Sequence, residues 1–543
     1  MTGGARDRRT PGDGARRLLR ALRGVVAACA CAGALLPAEA WAAGDAPPRA
    51  GTALRGAAGS RAASAAREAR AWRQAHERSI LAEFATLLAI PNVARDRRNI
   101  ERNAEALRAM LERRGLSVRL LRRGDAPPIV VGDLPGPPGA RTVAFYAHYD
   151  GQPTDTLSWR GLPWTPVLRD PAGRDIPLEG SGPLDPGSLL YARSAGDDKA
   201  PIIAMLVALD AMRAAKRRPG FHLRFVLEGE EEAGSPHLAE YMVAHPDALR
   251  PDAWLICDGP VHQSRRPLLG FGARGTTSVE ITVYGPVKAL HDGHYGNWVP
   301  NPIARLAHLL ASFRDEQGNV TIPGFLDEVT PTTEAERAAV AAIPDVEPAL
   351  RAEFQIGGVE GGGARLNETL LRPAVNFRGI LSGGVEERAS NTLPPEARAS
   401  IDFRLVPAQT PASVRAHVEE HLASLGWTVI DAAPDSLTRV THPMLVRLRW
   451  GAGYPPARTP LDSPFSLEVA GLLAATGRDP VRCPTLGGSV PMYLFQQPRG
   501  TPVIILPIAN HDDNQHAPNE NVRLQNLWDG IEVFAAMFAG LAP

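Results

Sequence analysis

The chain has 543 residues, of which 44% are hydrophobic and 22% are charged, so it is long enough for several domain-sized units with buried cores. Lys+Arg and Asp+Glu both total 59, and no sustained basic stripe is present, which disfavours nucleic acid as a partner. Gly and Pro are numerous, at 52 and 50 residues, but they are interleaved with apolar runs, which indicates a loop-rich globular protein.

Residues 1–42 have the pattern of a secretory signal peptide. Arginines precede an apolar stretch over residues 24–38, and a small-residue cleavage motif ends at Ala42. The apolar stretch is short for a membrane span, and no later segment is apolar for long enough to cross a bilayer. We therefore predict an exported, periplasmic protein without a stable membrane span once mature. The sequence leaves open whether the Sec or the twin-arginine route exports it.

Residues 43–64 are rich in Ala, Gly, Pro and Arg and lack apolar periodicity, which predicts a flexible tether. Beyond it, amphipathic helices and short apolar strands alternate along the chain. The helices are predicted near 65–88, 99–114 and 202–214, and the strands near 116–121, 129–131, 142–147, 223–227, 253–257 and 503–506. This alternation predicts an α/β fold with a mostly parallel central sheet flanked by helices.

The middle of the chain, residues 269–452, has a different pattern. It predicts strands over 272–284 and 397–406 and helices over 302–313 and 411–425. We interpret this block as a two-layer α+β domain inserted into the α/β domain, whose two parts are residues 65–268 and 453–543.

Histidine and carboxylate side chains cluster in five loops that follow predicted strands, which is where open α/β sheets build their sites. These residues are His148 and Asp150; Asp197 and Asp198; Glu228, Glu230, Glu231 and Glu232; Asp258; and His511, Asp512, Asp513, His516 and Glu520. Singly, a strand-end histidine or an acidic residue before a helix has an ordinary structural role such as capping. The crowded glutamates repel one another, however, and a bound cation would offset that repulsion. Ligands of this kind without Cys suit Zn²⁺ or a harder divalent ion, and two ions bridged by one carboxylate need about this many groups.

Together, the segments VAFYAHYDGQP, YARSAGDDKAPI, EGEEEAGS and HAPNE resemble, in order and in strand context, the motifs of the co-catalytic dinuclear zinc metallopeptidases. This family includes carnosinase-like dipeptidases, carboxypeptidase G, succinyl-diaminopimelate desuccinylase and aminoacylase. The resemblance extends from about residue 65 to the end of the chain. It implies that the α/β domain is catalytic and that the inserted block is a lid and dimerisation domain, so that the protein is a homodimer.

The resemblance also implies a role for each motif residue. The H-x-D motif makes His148 a metal ligand and Asp150 the carboxylate that orients it. The bridging aspartate falls on Asp197, and Asp198 is the alternative register.

In the EGxEExGS motif the resemblance makes Glu231 the general base and Glu232 a metal ligand. The implied cofactors are two divalent metal ions, with Zn²⁺ favoured and Mn²⁺ or Co²⁺ as alternatives. The implied ligands are His148, Asp197 and Asp258 for one ion, and Asp197, Glu232 and His516 for the other.

The inserted block carries a second set of similar motifs. KALHDGHYG resembles a turn that, in the family, places a histidine, here His291, in the active site of the partner subunit, where it polarises the scissile carbonyl. ASNTLPPEARASIDFRLVP and LGGSVPM resemble segments that hold the terminal carboxylate of the substrate. Guanidinium and backbone N–H groups are suited to such an anion. The implied substrate-binding residues are Asn391, Arg404, Gly488 and Ser489.

The implied reaction is hydrolysis of the amide bond of dipeptides or short peptides with a free C-terminal carboxylate, by a metal-bridged water that Glu231 deprotonates. N-acyl amino acid deacylation and glutamate-releasing carboxypeptidase activity need the same catalytic residues and are alternatives. A non-catalytic periplasmic binding protein is a further alternative, which the loss of Glu231 or of a ligand would indicate. Two departures from the family pattern are Glu230 and a long loop over 170–189, whose role the sequence leaves open.

Overall fold

The computed structural model describes residues 56–488 and 490–543. The predicted signal peptide lies outside these residues, as does Ser489. The helices of the described part are Ala57–Leu88, Arg97–Glu112, Lys199–Ala214, Leu238–Ala244, Pro246–Leu249, Asp292–Tyr295, Pro302–Ala311, Glu334–Ala341, Glu347–Phe354, Leu366–Thr369, Pro411–Ser424, Ser436–Thr441, Pro464–Ala475, Met492–Gln496 and Leu524–Gly540. Among these helices, none combines the length and the apolar character needed to cross a bilayer.

The strands, numbered in chain order, form three larger sheets and two small pairs. They are β1 (Ser117–Leu121), β2 (Ile129–Leu134), β3 (Thr142–His148), β4 (Val167–Arg169), β5 (Asp175–Ile176), β6 (Leu189–Tyr191), β7 (His222–Glu228), β8 (Ala253–Ile256), β9 (Leu268–Gly270), β10 (Gly272–Ala273), β11 (Gly275–Tyr284), β12 (Leu290–His291), β13 (Ala374–Leu381), β14 (Thr392–Leu393), β15 (Glu396–Leu405), β16 (Thr428–Ile430), β17 (Leu445–Trp450), β18 (Ala457–Arg458), β19 (Val481–Cys483), β20 (Val503–Ile505) and β21 (Asn521–Arg523).

An eight-stranded mixed sheet forms the centre of the α/β part, in the order β1-β2-β7-β3-β8-β20-β9-β19. Its four central strands, β7, β3, β8 and β20, run parallel. Alternate residues of β3 enter hydrophobic clusters on opposite faces of the sheet, which explains why the strand sequence is apolar throughout. The predicted α/β fold with a mostly parallel central sheet is confirmed.

The N-terminal helix Ala57–Leu88 begins inside the segment that the sequence predicts to be a tether. Residues 57–64 are helical, so this part of the tether prediction is wrong. The helix packs against the C-terminal helix Leu524–Gly540, where Ala62 is fully buried and a Cβ atom on Gly540 would lie 3.1 Å from the Cβ of Ala62. Alanine favours the helix, and small side chains let two helices approach closely. This contact therefore forms without the large apolar residues that make periodicity visible in a sequence.

A five-stranded sheet in the middle of the chain has the order β13-β15-β11-β17-β16. Its strands pair antiparallel except for β16 and β17. Helices Pro302–Ala311 and Pro411–Ser424 contribute Leu306 and Val418 to a separate hydrophobic core with the strands. The block is therefore a two-layer α+β structure, as its sequence predicts, while its boundaries at 269 and 452 stay a prediction.

The segment over 170–189 forms part of a four-stranded antiparallel sheet, β21-β6-β4-β5. Arg78 of the N-terminal helix donates a hydrogen bond to the Pro177 carbonyl at 2.5 Å. Within this sheet, β6 leads into the loop that carries Asp197, and β21 follows the loop that carries His516. Pairing of β6 with β21 therefore fixes these two loops relative to each other.

Candidate metal centre

Parallel strands bring the predicted ligands to one edge of the main sheet. β3 ends at His148, and Asp258 follows the neighbouring strand β8. Asp197 lies just before the helix Lys199–Ala214, and His516 lies in the loop between β20 and β21. Because the carboxyl ends of parallel strands meet at the same edge, residues that are distant in the sequence converge there.

Asp197 lies between two histidines. Its Oδ1 is 2.8 Å from His148 Nε2, and its Oδ2 is 3.1 Å from His516 Nε2. Glu232 Oε2 lies 3.1 Å from the same His516 nitrogen, and Asp258 Oδ1 lies 4.0 Å from His148 Nε2. The structure thus brings all five predicted ligands together. A carboxylate that presents one oxygen to each histidine has the geometry needed to bridge two ions.

Asp198, the alternative register, also belongs to the site. Ligand atoms within 4.8 Å of one another form two groups, which are His148, Asp198 and Asp258, and Asp197, Glu232 and His516. Asp198 Oδ2 accepts a hydrogen bond from the His148 backbone N–H at 3.1 Å, whereas its buried Oδ1 has no partner among the described residues. The geometry favours Asp197 as the bridge and adds Asp198 as a candidate ligand.

Asp150 connects the two motifs on β3 and β7. One of its oxygens lies 3.4 Å from His148 Nδ1, and its two oxygens accept hydrogen bonds from the backbone N–H groups of Glu231 and Glu232, both at 3.1 Å. The side chain is fully buried, and burial raises its pKa. Asp150 therefore orients the histidine and also fixes the turn that carries the two glutamates.

The acidic groups of the site are crowded together, and burial and their mutual repulsion shift the pKa values in the direction expected for a site that binds cations. Burial raises the pKa of Asp258 to about 7, and the charge of Asp197 adds to this shift. Burial also raises the pKa of Glu231 to about 9, with a contribution from Asp258. Hydrogen bonds to Asp197 and Glu232 raise the pKa of His516 to about 10. Two divalent cations would offset the repulsion among the carboxylates, so the donor set and the electrostatics both fit a dinuclear metal site.

Glu231 lies beside the ligands but belongs to neither group. Its Oε2 is 4.0 Å from His148 Nε2. It lines a cavity of about 400 Å³ together with Asp258, Gly488 and His511, and much of the remaining wall is apolar. A carboxylate in this position can exchange protons with a molecule bound in the cavity. We refer to this space as the metal-side cavity.

Three residues without a role in the sequence analysis hold the ligands in place. Gln515 Nε2 donates to Asp197 Oδ2 at 2.8 Å, and Gln152 Nε2 donates to Glu232 Oε2 at 2.7 Å. Glu520 accepts a hydrogen bond from the Asp197 backbone N–H at 3.0 Å and others from neighbouring residues of the same loop. The HAPNE motif contains Glu520, but nothing in its spacing signals that the side chain turns back to support a different loop.

Glu230, a departure from the family pattern, does not join the ligands. Its side chain is buried and accepts hydrogen bonds from the backbone N–H of His237 at 3.1 Å and lies 2.9 Å from the Nδ1 of that histidine. Glu230 immediately precedes the short 3-10 helix Glu231–Ala233, and its carboxylate is held by His237 and not by the residues of the metal centre. The extra carboxylate therefore leaves the ligand set unchanged.

The second set of predicted residues lies on different elements. His291 is exposed on β12, which pairs with β14, and the Asp292 backbone N–H donates to the Asn391 carbonyl at 3.1 Å. Arg404 lies on β15, where its Nε donates to Asp402 Oδ2 at 2.7 Å. Of the described residues in this set, Gly488 alone lines the metal-side cavity. The structure brings His291 and Asn391 next to each other but not to the wall of that cavity.

Comparison with known proteins identifies the family. The sequence matches the profile of peptidase family M20/M25/M40 over residues 144–539. The chain is 29% identical to the Beta-Ala-His dipeptidase of Mus musculus over 428 residues, which cover 77% of this chain and 80% of that relative. It is 26% identical to the Cys-Gly metallodipeptidase dug1 of Schizosaccharomyces pombe over 447 residues, which cover 80% of this chain and 88% of that relative.

Solved structures show the same fold. The crystal structure of human carnosine dipeptidase 1 matches with a TM-score of 0.65 at 23% sequence identity, covering 88% of this chain and 98% of that chain. A likeness at this identity establishes the architecture, while function depends on the site. Because the family match spans more than half of its length, the chain belongs to peptidase family M20/M25/M40 and is a peptidase.

Proposed function

We propose that this chain is an exported, homodimeric hydrolase that uses two divalent metal ions to cleave the amide bond of dipeptides or short peptides with a free C-terminal carboxylate. The observation that carries the proposal is the position of Asp197 between His148 and His516, with Glu231 beside them. Relatives named Beta-Ala-His dipeptidase and Cys-Gly metallodipeptidase support dipeptides as the substrates.

The donor set supports Zn²⁺ as the favoured metal, because His and carboxylate ligands suit it, with Mn²⁺ or Co²⁺ as alternatives. The residues that would hold the two ions are His148, Asp197 and Asp258 for one, and Asp197, Glu232 and His516 for the other. When bound, such ions supply Lewis acidity that polarises a carbonyl group and acidifies water.

Glu231 is the general base in this proposal. It accepts a proton from the attacking water and then passes that proton to the leaving amine, so that the proton balance of amide hydrolysis closes. Burial and the neighbouring carboxylates raise the pKa of Glu231 in the metal-free site, and two bound cations would lower it again, towards the range in which a carboxylate can both accept and return a proton. Asp150 holds the backbone of Glu231 in place for both steps.

His291 and the carboxylate-binding residues complete the proposal. We infer that His291 reaches the active site of a partner subunit, where its imidazole stabilises the oxyanion of the tetrahedral intermediate. Its exposed side chain supports a role that requires another surface to cover it. Asn391, Arg404, Gly488 and Ser489 are proposed to bind the terminal carboxylate of the substrate.

Export is proposed from the signal-peptide pattern of residues 1–42. The protein recovered from the periplasmic fraction is expected to begin near residue 43, which N-terminal sequencing measures directly. Recovery of the intact N-terminus from the cytoplasmic fraction alone would refute export. Inhibition of the Sec route separates it from twin-arginine export.

The activity is tested with a panel of dipeptides and N-acyl amino acids, with and without chelator and with Zn²⁺ or Mn²⁺ added back. Chelator-sensitive release of amino acids from dipeptides is the expected result. Cleavage of acyl substrates with no action on dipeptides would favour the deacylase, and release of C-terminal glutamate alone would favour the carboxypeptidase. Metal binding without turnover of any substrate would favour the binding protein.

A further inference from the structure

The floor of the metal-side cavity is built by three neighbouring strands of the main sheet. Tyr146 on β3, Ile256 on β8 and Ile505 on β20 lie side by side in the parallel register, and all three are buried and line the cavity. Side chains two residues apart in a strand point to the same face, so Tyr146 and His148 share one face of β3. Asp258 lines the same cavity. The floor therefore begins directly beside the metal centre.

A short helix, Met492–Gln496, covers this floor with apolar side chains. Met492 and Phe495 are three residues apart and so lie on one face of the helix, and both are buried and line the cavity. The ring of Phe495 packs edge-on against those of Tyr146 and Trp254, with ring centroids 5.0 Å and 4.9 Å apart. These contacts hold the ring in one orientation, so the cavity has a fixed apolar wall.

The metal-side cavity offers no free cation to a ligand. None of its lining residues within 56–488 and 490–543 is a lysine or an arginine. Burial lowers the pKa of His262, which favours the uncharged ring, and His511 Nδ1 lies 3.9 Å from Asp512 Oδ1, which would neutralise a charge on that histidine. An anionic side chain inside this cavity would therefore lose its hydration without gaining a partner.

The Gly-rich loop indicates which part of a substrate enters the cavity. Gly488, one of the proposed carboxylate-binding residues, lines the cavity, and so does the proposed base Glu231. A dipeptide with its terminal carboxylate at Gly488 and its scissile bond beside Glu231 has its C-terminal residue between these two points. The side chain of that residue then has the apolar floor and wall within reach.

We propose that the metal-side cavity binds the side chain of the C-terminal residue of the substrate and selects apolar side chains such as those of leucine and methionine. The inference rests on the proposed function and adds a substrate class to it. Burial of an apolar side chain favours binding, whereas a glutamate side chain would be desolvated without a cation beside it. Among the alternative activities, the cavity therefore opposes the release of C-terminal glutamate.

The first test compares dipeptides that differ only in their C-terminal side chain. Metal-loaded protein is assayed with Ala-Leu, Ala-Met, Ala-Gly and Ala-Glu. We expect kcat/KM for Ala-Leu and Ala-Met to exceed that for Ala-Gly about 10- to 100-fold, and to exceed that for Ala-Glu by more. Similar values for all the active substrates, or a preference for Ala-Gly or Ala-Glu, would overturn the inference.

A charge placed in the cavity wall should weaken or reverse this preference. Val490 lines the cavity and is half-buried, so a lysine there can present its ammonium group to the cavity while its stem packs against the protein. We expect Val490→Lys to lower the ratio of kcat/KM for Ala-Leu to that for Ala-Glu at least about 10-fold. Both substrates carry the same terminal carboxylate, so this ratio reports on the side chain alone.

The matched control is Val243→Lys, which makes the same change on the helix Leu238–Ala244, where Val243 is 75% exposed and lies outside the cavity wall. We expect this variant to keep the wild-type ratio. An unchanged ratio in Val490→Lys, or an equal change in both variants, would show that the cavity does not select the side chain.

The last test measures binding without turnover. Glu231→Gln protein, which the proposed mechanism makes inactive, is titrated calorimetrically with the same four dipeptides. We expect Ala-Leu to bind at least about 10-fold more tightly than Ala-Gly, and Ala-Glu to bind most weakly. Equal binding of all four, or binding of none, would refute the inference. A wild type that is silent on every dipeptide refutes the proposed function, whereas this titration still decides what the cavity selects.

Discussion

The metal centre and the region around His291 differ in how completely one chain builds them. At the metal centre, His148 and Asp197 are buried and in direct contact, on loops fixed by neighbouring parallel strands. His291 and Asn391, in contrast, are exposed on the short strand pair β12 and β14 and its flank. Strand ends of a buried sheet can preorganise a site within one chain, whereas the exposed pair β12 and β14 leaves His291 and Asn391 without such a buried setting among the described residues.

The largest expected effect is the loss of activity when the proposed general base at the metal centre is replaced. We expect Glu231→Gln to lower kcat about 100- to 10,000-fold, because the amide cannot carry the proton. Metal content, measured by mass spectrometry, should be unchanged, since Glu231 lies outside both ligand groups. The exposed Glu240→Gln serves as the control and should retain full activity. An active Glu231→Gln protein would remove this residue from the mechanism.

The proposed role of His291 in the active site of a partner subunit is tested by complementation between two inactive variants. We expect His291→Ala alone to lower kcat about 100- to 1,000-fold, as expected for loss of an oxyanion donor. Mixed dimers of His291→Ala and Glu231→Gln should regain activity, because one of their two sites then has both groups intact. Unfolding and refolding the two variants together and assaying the mixture measures this. If the mixture stays inactive while mixed dimers form, His291 does not act across subunits.

We expect the two groups of candidate ligands to bind their metal ions separately, so that a substitution in one group removes only one ion. We expect His516→Ala to weaken binding of one ion by at least about 100-fold while the ion near His148 stays bound, so that metal content falls from two ions to one per chain. His511→Ala is the matched control, because His511 lines the metal-side cavity but belongs to neither group. Loss of both ions, or of neither, in His516→Ala would contradict the two-group arrangement.

The smallest expected effect concerns the contact between the N-terminal helix Ala57–Leu88 and the C-terminal helix Leu524–Gly540. Glu532 of the C-terminal helix is buried, which by itself would raise its pKa, but its hydrogen bonds to Arg70 and Arg478 hold that pKa below its ordinary value of 4.5. Since the folded pKa is lowered, the stabilisation is present above about pH 5 and is lost as the pH falls through the folded pKa. We expect Glu532→Gln to lower the free energy of unfolding by about 2 kcal/mol at pH 7.

Urea unfolding of Glu532→Gln and wild type at neutral and acidic pH measures this effect, and the difference should shrink on acidification. Glu105→Gln removes a partner of Arg108 from a more exposed pair and should change stability little. A difference that stays constant from pH 7 to pH 3 would show that the charge of Glu532 is not what stabilises the helix pair.

Much of the fold could be predicted from the sequence. Parallel strands that are buried on both faces are apolar throughout, and strands with one buried face alternate apolar and polar residues. The strands β3, β7 and β8 were predicted to within a residue or two of their observed ends. The prediction failed at residues 57–64, where the packing of Ala62 against Gly540 uses small side chains that leave no periodic signal. The supporting roles of Gln152, Gln515 and Glu520 were missed for a similar reason, since a side chain that holds a ligand obeys no spacing rule.

The sequence by itself determined the kinds of ligand, their strand-end positions and the family, because ligand chemistry and strand patterning are local properties of the chain. Only the tertiary structure decided which oxygens of Asp197 face which histidine, that Asp198 joins the site and that Glu230 leaves it. These features depend on contacts between residues far apart in the chain, and such contacts follow from how strands and loops pack, not from local sequence.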